Sequence, residues 1–168
     1  MRDLHVSWDE YNRLVEKLAL KVWDSGWSFD AVVCVARGGL RIGDVFSRLF
    51  DKPLGVVFTS SYREDEGKRR GELHIGEHLA CAGALPGPNW LLTDDLADSG
   101  ATLVQLVPAL LGRHPQAREI RTAVLWRKGA SIAQPDYAVE HLPSNPWIHQ
   151  PFEEYDHMRP GDLKARWG

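Results

Sequence analysis

The segment LLTDDLADSGATL, from Leu91 to Leu103, constrains the fold more than any other stretch of the chain. An apolar run, opened by Asn89-Trp90, ends in two adjacent acids, Asp94 and Asp95. A third acid, Asp98, follows three residues later. The small residues Ser99-Gly100-Ala101-Thr102 come next, and then Leu103, Leu106, Val107, Leu110 and Leu111 recur at helical spacing. This is a strand that turns through a polar loop into a helix. Pro108 lies inside the helical pattern and is expected to kink it or end it early.

The same alternation runs through the rest of the chain. AVVCVA, Ala31 to Ala36, is a continuous apolar run rich in β-branched residues, as expected of a strand buried on both faces. Arg37-Gly38-Gly39-Leu40 interrupts it, and RIGDVFSRLF then reads as a short helix. LGVVFTS, EIRTAVLW and YAVEHL supply further strands. Ser7-Trp8-Asp9-Glu10 has the form of a capping box, and Leu14, Val15, Leu18 and Val22 carry a helix to about Trp23. The highly charged stretch from Tyr62 to Glu72 reads as a mobile loop, and Gly83 to Pro88 as a turn. Strands alternating with helices predict an α/β fold with a mainly parallel sheet. Ligands of such folds bind beyond the carboxyl ends of the strands. Arg37-Gly38-Gly39 and Asp94 to Thr102 both fall at that edge, so two loops converge on one site.

Length and composition narrow the possibilities. At 168 residues the chain is expected to be one domain, 1–168. A net charge of −3 gives no nucleic-acid footprint. No apolar run is long enough to span a membrane, and MRDLHVSWDE lacks the apolar core of a signal peptide. Cys34 and Cys81 are too few and too far apart for a zinc site or a disulfide framework. A reducing cytoplasm fits this usage best.

The loop chemistry points to a ligand. Free N–H groups and the helix dipole at Ser99 to Thr102 favour a phosphate. There is no G-x-x-x-x-G-K, so this is not a Walker loop. Alone, the segment is equally readable as an ordinary helix cap. Asp94 and Asp95 shift the balance. Carboxylates beside a phosphate repel it unless something lies between them. A ribose ring does so, its vicinal hydroxyls donating to the acids while its 5-phosphate rests in the loop. Mg²⁺ also bridges such oxygens. The ligand is therefore expected to be a phosphorylated sugar bearing a diol, with room for a further anionic group at Arg37-Gly38-Gly39.

With these residues in view, LLTDDLADSGATL resembles the phosphoribosyl-diphosphate signature of the type I phosphoribosyltransferases. VARGGL resembles their pyrophosphate loop, and TSSYRED the Ser-Tyr opening of their flexible catalytic loop. PDYAVEHLPSNPWIHQPFEEYD resembles the base-recognition end of the bacterial xanthine-guanine members. The likeness runs from about Leu4 to Asp156. It implies the type I fold, with a parallel central sheet and a small hood for base recognition at about 127–156. It also implies Mg²⁺-dependent transfer of ribose 5-phosphate from phosphoribosyl diphosphate to a purine, with release of pyrophosphate, by a homodimer or homotetramer.

Residue by residue, the likeness gives Asp94 and Asp95 the ribose diol and the metal. Arg37, Gly38 and Gly39 receive the pyrophosphate, and Ser99, Gly100, Ala101 and Thr102 the 5-phosphate. Asp98 becomes the general base, with a helix cap as its alternative. Ser61 and Tyr62 open the loop that closes over the sugar. Trp147 stacks on the base, with core packing as its alternative, and the Ile148 carbonyl reaches the base edge. Lys128 meets the purine 6-oxo group, with Arg127 as its competitor. A cis peptide between Ala36 and Arg37 is also implied. Ser99 and Ala101 stand where Thr and Gly are common, and His149 where the relatives carry an acid. The segment from Gly71 to Pro88 looks longer than theirs, and residues 157–168 match nothing. A regulatory protein that senses the sugar diphosphate and binds nucleic acid is the competing class. An enzyme acting on another base is the competing activity.

Overall fold

A computed structural model describes residues 3–61 and 73–168. In chain order the elements are β1 (Leu4–His5), α1 (Trp8–Asp24), β2 (Ala31–Ala36), α2 (Leu40–Phe50), β3 (Leu54–Ser61), β4 (Leu73–Cys81) and β5 (Asn89–Ala97). They continue with α3 (Ala101–Arg113), β6 (Glu119–Lys128), β7 (Tyr137–Leu142), β8 (Ile148–His149), α4 (Glu154–His157) and α5 (Pro160–Trp167). Six strands form one sheet in the order β4-β3-β2-β5-β6-β7. All neighbours are parallel except β3 and β4.

The buried runs explain the layers. Every residue of β2 is buried because both sheet faces are covered. Val32 and Leu91 face a core with Leu14, Leu18 and Val22 of α1 and Ile42 and Phe46 of α2. Their neighbours Val33 and Leu92 face the opposite core, with Leu103, Leu106 and Leu110 of α3. Successive residues of one strand thus serve two cores, as the period of two requires. The expected capping box is present: Glu10 N donates to Ser7 Oγ at 3.2 Å and Ser7 N to Glu10 Oε2 at 2.9 Å.

Four features of the structure decide between alternatives of the sequence reading or go beyond it. Pro108 does not end α3, which continues to Arg113. The carbonyl that Pro108 cannot serve belongs to Val104, which is 48% exposed, so water can reach that region. A strand, β4, lies within the stretch from Gly71 to Pro88 and pairs antiparallel with β3 at the sheet edge. Its polar residues His74, Glu77 and His78 hide it, because an edge strand need not be apolar. Residues 157–168 contain α5, whose residues are exposed. Finally, β1 and β8 form a two-stranded parallel ribbon outside the main sheet, pairing Leu4 with Ile148 and His5 with His149. Two-residue strands leave no periodicity to read.

One core residue invites a stability test. Tyr11 is 1% exposed, and its hydroxyl has no hydrogen-bond partner among the described residues. Burial and the Asp95 charge push its ionisation well above the ordinary phenol value. A buried unpaired hydroxyl contributes nothing that a phenyl ring lacks. Tyr11→Phe should therefore leave stability unchanged or raise it by up to about 1 kcal/mol in urea melts. A loss of more than about 1 kcal/mol would show that the hydroxyl is satisfied after all.

Candidate active site

The parallel sheet brings the carboxyl ends of β2, β5 and β6 to one edge. Asp94 is 8% exposed and Asp95 is half-buried. The Asp95 N–H donates to Asp94 Oδ1 at 3.0 Å. Burial, and then the neighbouring Asp95 charge, raise the Asp94 pKa well above the usual carboxylate range. The loop after β2 closes against the same pair. A β-carbon on Gly38 would lie 2.6 Å from Asp95 Cγ, so only glycine permits this approach. Gly39 N donates to Val35 O at 2.8 Å, turning the chain directly into α2. The Ala36–Arg37 peptide is cis, as the resemblance implies. The Arg37 side chain is 84% exposed and pairs with Asp156 at 3.2 Å. Arg37, Gly38, Arg41, Asp95, Gln150 and Glu153 help line a cavity of about 540 Å³.

The small-residue loop enters α3 through Gly100, whose position as N-cap offers no side-chain cap bond. Gly100 has φ +80°, and a β-carbon there would also meet Ser131 Oγ. The loop is tied from behind, where Ile132 N donates to Ser99 O at 2.9 Å. Ser99 Oγ accepts from Ala101 N at 3.3 Å. Ala101 and Thr102 lie half-buried in the first turn of the helix. Asp98 is not the cap of α3. Its carboxylate pairs instead with Lys128, Nζ to Oδ1 3.1 Å.

Lys128 is the centre of the third side of the site. It is 5% exposed, and its ammonium lies 5.9 Å from the centroid of the Trp147 ring. Trp147 is 62% exposed, so it is not core packing. Ile148 beside it is buried. Arg127 turns elsewhere, and its Nε donates to the Ala133 carbonyl at 3.0 Å, behind the small-residue loop. Ser61 ends β3 at the same edge of the sheet. Tyr62, like the rest of 62–72, lies outside the described residues. Two contacts escape sequence reasoning altogether. Gln150 Nε2 donates to Asp95 Oδ2 at 2.5 Å, and His149 stacks on His5 with centroids 4.3 Å apart. Gln150 stands within WIHQPF, but nothing in the chain signals which acid, far away in sequence, it meets.

Asp94 and Asp95 fit a magnesium ion that is shared with a ligand. Among the described residues, no group of three or more His, Cys, Asp or Glu could hold a metal alone. Mg²⁺ suits such a site, because it typically takes one or two carboxylates and fills its octahedron with substrate oxygens and water.

The chain is similar in sequence and in fold to known proteins. The sequence profile of the phosphoribosyl transferase domain family matches residues 7–157. The xanthine-guanine phosphoribosyltransferase of Idiomarina loihiensis is 27% identical over 157 residues, covering 93% of this chain and 90% of that protein. A purine phosphoribosyltransferase from Pyrococcus horikoshii superposes with a TM-score of 0.69 at 26% identity, over 90% of this chain and 94% of that one. The xanthine-guanine-hypoxanthine phosphoribosyltransferase of Helicobacter pylori shares the fold with a TM-score of 0.77 at 24% identity, over 98% of this chain and 99% of that one.

The raised pKa of Asp94 has a consequence for stability. At low pH both the native and the unfolded states hold the proton, and Asp94 is neutral to folding. As pH rises through the usual carboxylate range the unfolded chain ionises while the native site resists, so stability is lost. Asp94→Asn keeps the acceptor for the Asp95 N–H and removes that loss. In chelator-treated protein its melting temperature should exceed the parent's at about pH 7, and the gap should close toward about pH 3. A variant that melts lower at about pH 7 would refute the assignment.

Proposed function

This chain belongs to the phosphoribosyltransferase family, and from that premise we propose that it transfers ribose 5-phosphate from phosphoribosyl diphosphate to a 6-oxopurine, releasing pyrophosphate. The observation that carries the choice of base is the buried Lys128 ammonium, paired with Asp98 at 3.1 Å and lying 5.9 Å from the Trp147 ring centroid. A flat ring stacked on Trp147 would have a cation and a carboxylate within reach of its edge.

In the proposed reaction the bond from C1′ of the sugar to the pyrophosphate oxygen breaks and a bond from C1′ to the purine N9 forms. Positive charge builds on the sugar ring and negative charge on the leaving group. Asp94 and Asp95 hold the ribose hydroxyls and favour the charge on the ring. The 5-phosphate lies against the backbone N–H groups of Ser99 to Thr102, at the N-terminus of α3. Arg37 and the backbone at Gly38 and Gly39 receive the pyrophosphate. Mg²⁺, held by Asp94 and Asp95, would neutralise charge on the diphosphate. Asp98 takes the purine N7 proton as N9 attacks. Lys128 donates to O6. Ser61 and Tyr62 begin the segment that shields the sugar from water. The chemistry is that of purine salvage in the cytoplasm.

Incubating the protein with phosphoribosyl diphosphate, Mg²⁺ and single bases tests the reading. Guanine, xanthine and hypoxanthine all present an acceptor at position 6, whereas adenine presents an amino group. An ammonium only donates. Discrimination built on one such bond reaches about 10⁴–10⁵. At least one 6-oxopurine should be converted and adenine refused, and Lys128→Ala should erase most of the preference. Efficient use of adenine would refute the choice of base and leave phosphoribosyl transfer standing.

Asp98→Asn separates the proton acceptor from the side chain's shape. Turnover should fall by roughly 10²–10⁴ at a temperature where the variant is fully folded, a loss that the lower melting temperature caused by leaving buried Lys128 without its charge partner does not account for. Near-parental turnover would remove Asp98 from the chemistry.

A further inference from the structure

Asp95 is held from two sides by residues remote from it in sequence. Gly38 closes on one side, where a β-carbon would meet its carboxylate. On the other, Gln150 Nε2 donates to Oδ2 at 2.5 Å. Gln150 is 7% exposed. Only the NH₂ end of an amide can serve a carboxylate, so the orientation of this amide follows from its partner. Gln150 Oε1 is left buried, with no hydrogen-bond partner among the described residues. A buried carbonyl that accepts nothing weakens the fold. Methionine would fill nearly the same volume without that defect. The glutamine is accounted for by what its other end does to Asp95.

The backbone that delivers Gln150 is anchored independently of it. Leu4 N donates to Trp147 O at 2.8 Å and Val6 N to His149 O at 3.0 Å. Beyond Gln150, Phe152 meets Tyr11 edge-on at 5.7 Å, and the Arg41 guanidinium lies 4.5 Å from its ring centroid. The amide is therefore carried by a fixed frame, two residues past Ile148.

We infer that Gln150 is a positioning residue that orients the Asp95 carboxylate toward the ribose hydroxyls and ties it to the strand presenting Trp147 and Ile148 to the base. The inference rests on the phosphoribosyl-transfer reading. A carboxylate has a broad, weakly restricted terminal torsion. The Gln150 bond pins that torsion from the protein side, leaving the remaining lone pairs of Asp95 aimed at the diol.

Two near-isosteric variants test it. Gln150→Met removes the donor, and Gln150→Glu sets a second carboxylate against the first. The KM for phosphoribosyl diphosphate should rise about tenfold in the Met variant and further in the Glu variant, as loss of a hydrogen bond to a charged group predicts. The KM for guanine should stay within about twofold, because the backbone anchors of Trp147 and Ile148 are untouched. The Met variant should melt no lower than the parent, since the orphaned carbonyl is gone. An unchanged KM for phosphoribosyl diphosphate in both variants would overturn the inference. So would both KM values rising together with a falling melting temperature, the mark of a merely structural residue. A parent protein that converts no purine would refute the proposed reaction. In that case calorimetric titration with phosphoribosyl diphosphate and Mg²⁺ decides separately. Binding by the parent that weakens in the Met variant upholds the role of Gln150, and equal or absent binding overturns it.

Discussion

Two adjacent carboxylates at the end of a strand buried on both faces are the constraint around which the site is organised. Asp94 lies so deep that burial and the Asp95 charge hold its proton well above the ordinary range. Two like charges this close resist ionising together. The native protein eases the conflict with what it has: the Asp95 N–H on Asp94 and the Gln150 amide on Asp95. Neither donor is a cation. Among the described residues no cation bonds to either acid, although Arg37 and Arg41 line the same cavity, and a vicinal diol with a divalent ion would supply both donors and charge. On the proposed reading, the instability of the acid pair and its affinity for such a ligand have one origin.

The opposite economy holds at the base end. Lys128 is buried, and a lone buried ammonium is strongly disfavoured. Asp98 on the neighbouring loop offsets it, although its own side chain is 62% exposed. An exposed partner is only loosely held and is free to exchange. Under the proposed reading, a 6-oxopurine presents O6 to the ammonium and N7–H to the carboxylate. Both charged groups then find new partners on a single ring, and neither is left unpaired when their mutual bond loosens.

The large elements were legible in the chain because they obey strong periodicities. AVVCVA has no polar face, so it had to be a strand covered on both sides, and β2 is fully buried. The box at Ser7 and Glu10 starts α1 as its residue types require. The place of the acid pair and the small-residue loop was legible because an apolar run, a polar turn and a helical pattern follow one another there, and β5 and α3 flank them. What stayed hidden depends on contacts between distant segments. The polar edge strand β4 carries no apolar signature, and the ribbon of β1 and β8 is too short to have a period. Arg127 and Lys128 are adjacent in sequence, yet a strand sends them to opposite faces. One reaches the Ala133 carbonyl and the other Asp98. A register ambiguity of one residue in the chain becomes two distinct sets of partners once the sheet is formed.

That division bears on how the two ends of the site work as one. Arg127 braces the segment whose Ser131 and Ala133 press against Gly100 of the small-residue loop. Lys128, one residue on, faces Asp98 and the Trp147 ring. Gln150 likewise lies two residues beyond Ile148 and grips Asp95. Two short segments, 127–133 and 147–150, therefore each reach two parts of the candidate site, which the proposed reading assigns to the base and to the sugar. Under the proposed reading, such bracing fixes the distance between a purine on Trp147 and a ribose on the acid pair before either arrives. Transfer between two bound groups gains most from geometry that is set in advance. On the proposed reading that geometry is supplied by residues neighbouring the reactive ones, so that a single substitution behind the site would reach the chemistry in front of it.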